Sequence, residues 1–135
     1  MPAMDTFESL MAEVMASAAR FGHREHLHLA WLAVRRYGPS AAPPLISDGI
    51  QRTARYAGAP QKYHATMTEA WTRLVAHHVP EGPDDFAAFL ERHPRLLDKR
   101  LLLGHYSSTR LASAEARRSW VTPDLIPLPA APEAA

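Results

Sequence analysis

The sequence predicts an all-α fold: an up-down helical bundle of about five to six helices with a proline-rich, extended C-terminal tail. Three observations predict it. Apolar residues recur at i, i+3, i+4 and i+7 in successive segments, glycine and proline punctuate the chain between them, and no segment alternates as a strand would. The first helix is expected over Asp5 to Arg20, where Phe7, Leu10, Met11, Val14 and Ala18 share a face and Asp5 or Thr6 can cap. The second spans about Gly22 to Tyr37 and stops at Gly38-Pro39. Ser40, Pro43 and Pro44 open a third, marked by Ile46, Ile50 and Ala54, which ends near Gly58. Pro60 opens a fourth, Gln61 to His78, closed by Pro80. After the turn "EGPDD", Phe86, Phe89 and Leu90 fall on one helical face. The stretch "HPRLLDKRLLLGHYS" predicts a helical turn or two and a break at Gly104, and Ser113 can cap a short helix over Ala114–Trp120. Residues 1–125 form the expected helical domain, with Trp31, Trp71 and Trp120 in its core. Residues 126–135 form the tail, because proline there forbids regular helix.

Composition narrows the function classes. At 135 residues the chain suits one domain, and 47% apolar content supports a true core. Net charge is +1 with no run of Lys or Arg, which argues against a dedicated nucleic-acid surface. The absence of cysteine excludes disulfides, thiolate zinc sites and a cysteine nucleophile. No long apolar run suggests a membrane span, and the first residues lack a signal-peptide pattern, so the expected location is cytoplasmic.

The histidines are the chemical signal. "FGHREHLHLAW" places three of them within six positions at the head of the second helix. At ~100° per residue, Leu27, Ala30, Val34 and Tyr37 lie within ~40° of His23, and His26 lies ~60° to one side. His28 falls on the opposite side, toward solvent. In the fourth segment Met67, Thr68, Trp71, Leu74 and Val75 lie within ~80° of His64. Alternating helix directions bring the starts of the second and fourth helices to the same end. His23, His26 and His64 are therefore the expected ligands of one divalent metal ion (Fe, Cu or Zn) with an open position. Against this stands the ordinary reading of each as a buried imidazole bonded to a neighbour. Glu25 and Glu69 are expected to point away, which disfavours a di-iron site.

Tyr63, Thr68, Tyr106 and Arg110 are the candidate catalytic residues around that metal. Tyr63 precedes His64, Thr68 shares its inner face, and Tyr106 and Arg110 follow the Gly104 break. Arg110 would pair an anionic group of a small-molecule substrate. Asp98 is expected in a surface ion pair, Asp124 capping or paired with Arg117, and His77, His78 and His93 near helix ends at the surface.

"FGHREHLHLAW", "APQKYHATMTEAW", "LLDKRLLLGHYS" and "EARRSWVTPDLIPLP" together resemble a family of small bacterial all-helical proteins with F-x-H-x-x-H and Y-H-x-T-x-T segments. Phe21, His23, His26, Tyr63, His64, Thr66 and Thr68 match those segments, and Tyr106 and Ser107 match a later Tyr-Ser. The resemblance covers most of the chain beyond the first helix. It implies the domain limits and the choice of histidines, and carries no assigned activity. The leading expectation is a small metal-dependent enzyme, an oxidoreductase or a hydrolase or lyase. The alternative is a non-catalytic ligand-binding or interaction protein with structural histidines, and a haem or other cofactor binder stands third.

Overall fold

The computed structural model describes residues 6–130, so the expected cap at Asp5 and the end of the tail lie outside the described residues. The described chain is all-helical, without a strand. Helix α1 spans Thr6–Met15 and buries Phe7, Leu10 and Val14. It ends five residues before the expected Arg20, because the inner positions beyond Met15 offer only alanine to bury. Helix α2 spans His23–Tyr37; the Glu25 carboxylate turns back to accept from the Gly22 N–H at 2.9 Å, rather than pointing away. Gly38 closes it at φ 93°, a backbone conformation that favours glycine. Tyr37, expected on the buried face, is exposed at that end.

Helix α3 spans Ala42–Tyr56 with prolines in its first turn. A short 3₁₀ turn, Pro60–Lys62, then precedes α4, Ala65–His78. Helices α2, α3 and α4 pack on one another, and α1 rests on α2 and α3. Trp31 and Trp71 are buried among them as expected, whereas Trp120 is only partly buried. Gly49 of α3 lets α1 approach closely. A Cβ there would stand 2.1 Å from the Phe7 ring. Gly49→Ala is therefore expected to destabilise by about 1–2 kcal/mol, overpacking outweighing the better helix propensity of alanine. Urea unfolding would measure it. Gly104→Ala, which meets nothing within 4 Å, serves as the control expected to leave stability unchanged.

The C-terminal third is a chain of short elements. Helix α5, Phe86–Arg92, is capped by Asp85 and buries Phe86, Phe89 and Leu90. Two 3₁₀ segments, Pro94–Leu97 and Lys99–Gly104, lead to α6, Ser108–Ala112, and α7, Ala114–Arg118. Ser107 and Ser113 cap the last two. Residues 119–130 have no regular structure and are tied down by side chains. The Thr66 hydroxyl donates to the Ser119 carbonyl at 2.9 Å and accepts from the Val121 N–H at 3.1 Å. His105 and His77 bond the Ile126 and Ala130 carbonyls. Arg73 lies over the Trp120 ring. Asp124 accepts from the Ser107 N–H at 2.8 Å, and Arg117 reaches the Gln61 carbonyl instead of Asp124. Among the described residues no helix is long and apolar enough to cross a membrane.

Candidate functional site

One cavity of about 680 Å³ opens where the start of α2, the second half of α3 and the start of α4 meet. His23, His26, His64 and Thr68 all line it, with Trp71 and Met67 beside them. Each position follows from local chain chemistry. Gly22 ends the connection from α1 and leaves His23 and His26 in the first turn of α2. Pro60 forces a 3₁₀ turn, and Tyr63 leaves it in extended backbone. His64 is consequently not inside a helix that began at Gln61. It is the N-cap of α4, with φ −131° and ψ 109°.

That placement decides what His64 can do. The Met67 N–H donates to its Nδ1 at 3.1 Å, satisfying an orphan donor of the first turn. Its Nε2 therefore carries the hydrogen and donates to the Leu111 carbonyl at 2.7 Å. Both ring nitrogens are engaged, so His64 as it stands has no lone pair to give a metal.

His23 is half-buried, and its Nε2 donates to the Leu96 carbonyl at 2.8 Å. Its ring stands edge-on to Trp71 with centroids 4.4 Å apart. Burial holds its pKa below the usual imidazole value, the Leu96 hydrogen bond counters part of that, and the Lys99 charge lowers it further. His26 retains some surface, but its Nε2 is buried and has no hydrogen-bond partner. Burial, with a smaller effect from His23, pushes its pKa down to about 4, against a raising effect of the Thr68 backbone. Both imidazoles are thus neutral near pH 7. Among the described residues no group of three His, Asp or Glu side chains is arranged to hold a metal ion.

The other expected site residues lie elsewhere. Tyr106 is fully buried; its hydroxyl donates to the Val121 carbonyl at 2.8 Å, and burial raises its pKa to about 12. Arg110 donates to the Thr122 carbonyl at 2.7 Å. Both fasten the C-terminal segment and neither lines the cavity. Tyr63 is part-buried, also outside the lining, with its pKa raised by burial against a hydrogen bond to Ser47. His28 does not face solvent freely: it stacks on Phe86 at 4.4 Å with planes 5° apart. His93 stacks on His78 at 4.3 Å, which in turn meets His77 edge-on at 4.8 Å. Asp98 pairs with Arg100 as expected of a surface carboxylate.

Lys62, Lys99 and Arg117 also line the cavity, from three separate elements. Lys99 stands out in the sequence among the polar groups beside the Gly104 break, a stretch that could form the second half of a site, whereas Lys62 and Arg117 carried no site signal beyond the position of Lys62 two residues before His64. No family model matches the chain, and no curated protein or solved structure matches it significantly.

Proposed function

We propose that the chain is a helical small-molecule-binding protein, of the up-down bundle kind, whose ligand occupies the cavity between α2, α3 and α4. One observation carries this reading: a cavity of about 680 Å³ with a largely apolar lining and a few polar groups, Thr68, Lys62, Lys99 and Arg117 among them. That size and make-up are typical of small-molecule sites. Histidine then serves two purposes. His64 holds α4 against the chain around Leu111, and the neutral His26 ring forms part of the cavity wall.

The neutral, environment-sensitive dye Nile red tests the reading. Wild type is expected to bind it saturably, with a blue-shifted emission. Ala54→Trp, which fills the cavity from the α3 wall, should abolish the shift and leave the melting temperature unchanged or higher. Equal dye binding by the variant would place the dye elsewhere and sink the reading.

A mononuclear metal-dependent enzyme is the second reading, favoured by the convergence of His23, His26 and His64 on one cavity. The three rings do not fit that role as arranged, since His64 would have to release both Met67 and Leu111. Stoichiometric iron, copper or zinc in protein purified without a His-tag would replace the first reading with the second.

A further inference from the structure

The cavity's charge pattern names a ligand class, an inference that rests on the binding role proposed above. Lys62, Lys99 and Arg117 line it, and no Asp or Glu does. Glu25, at the same end of α2, has its carboxylate turned to the Gly22 N–H. Helix α4 begins here without an acidic residue in its first turn and brings about half a positive charge, whereas Glu25 offsets that of α2. Much of the remaining wall is apolar: Met11, Ile50, Ala54 and Met67, with the Trp71 ring. Arg117 already donates to the Gln61 carbonyl, but a guanidinium has five N–H groups and retains capacity for an anion.

We infer that the cavity takes a small amphipathic organic anion, its charged group among Lys62, Lys99 and Arg117 and its apolar body against Met67 and Trp71. Two neighbouring classes are expected to bind more weakly. A bare inorganic anion leaves the apolar walls unfilled, and a neutral hydrophobe gains nothing from the three exposed cations.

Two probes of one shape separate charge from fit: 2-naphthoate and its neutral counterpart 2-naphthamide, titrated calorimetrically into the full chain. Naphthoate is expected to bind about tenfold more tightly than naphthamide, an advantage that salt reduces because the rim is exposed. Lys62→Gln/Lys99→Gln should cut that advantage severalfold, read as the ratio of the two affinities, with Arg117 keeping the remainder. Arg95→Gln, on a residue outside this cavity, should change neither. Equal affinity for the two probes in wild type, or an advantage undiminished in the double variant, would overturn the anion inference while the binding role stands. Failure of both probes alongside failure of Nile red would overturn the binding role itself.

Discussion

His64→Ala is expected to lower the free energy of unfolding by about 2–4 kcal/mol. Two losses combine. The Met67 N–H loses its cap, typically worth ~1 kcal/mol, and the Leu111 carbonyl loses its donor in a part-buried position, at ~1–3 kcal/mol. His64→Asn retains a capping oxygen but is too short to reach Leu111, so it should fall between wild type and alanine. Urea denaturation at neutral pH measures all three. A change below about 0.5 kcal/mol for alanine, the usual size of a surface substitution, would show that neither bond contributes to stability. Metal content is the companion readout: a purely structural His64 leaves it untouched in every variant.

Acidification is expected to cost about 3 kcal/mol through His26 alone. Its pKa in the folded chain is about 4, below the 6.5 of a free imidazole, with burial the main cause. The unfolded chain therefore takes up a proton first as pH falls. Stability is unaffected by this group above pH 6.5 and declines by about 1.4 kcal/mol per unit toward pH 4. Below pH 4 the loss is complete. His23 and His28, also lowered chiefly by burial, act in the same direction. His26→Gln keeps a polar side chain and does not titrate. The difference between its pH–stability curve and that of wild type isolates the His26 contribution from the carboxylates common to both. Parallel curves between pH 7 and 4 would refute the prediction.

The bounds of α2 were legible because its apolar face is continuous and its ends carry Gly22 and Gly38-Pro39. The convergence of His23, His26, His64 and Thr68 was legible from helix starts and the short connections between them. The bonding state of His64 was not. The angular argument assumed a helix from Gln61, whereas the 3₁₀ turn at Pro60–Lys62 resets the rotation. An imidazole capping its own helix also falls outside the Ser, Thr, Asp and Asn pattern that marks helix starts. Tyr106 and Arg110 were misplaced for a different reason. Their partners are the carbonyls of Val121 and Thr122, and a carbonyl is present at every residue, so sequence cannot single out which one is used. Lys62, Lys99 and Arg117 are far apart along the chain, and only tertiary packing makes them neighbours of one cavity.

The last stretch of chain has one more consequence. Helices α6 and α7 are five residues each, too short to persist by themselves. What holds them and the following residues is a set of bonds reaching across the sequence: His64 to Leu111, Thr66 to Ser119 and Val121, Tyr106 to Val121. A region secured this way is expected to open as a unit at lower free energy than the whole domain, an opening that amide exchange measures. Arg117 rides on the same unit and contributes to the cavity rim. On the proposed anion-binding role, opening of the chain end and occupancy of the cavity would share one equilibrium, and linkage would make the effect reciprocal. An anion held by Arg117 is then expected to slow amide exchange from Leu111 to Val121, some of it far from any atom the anion touches.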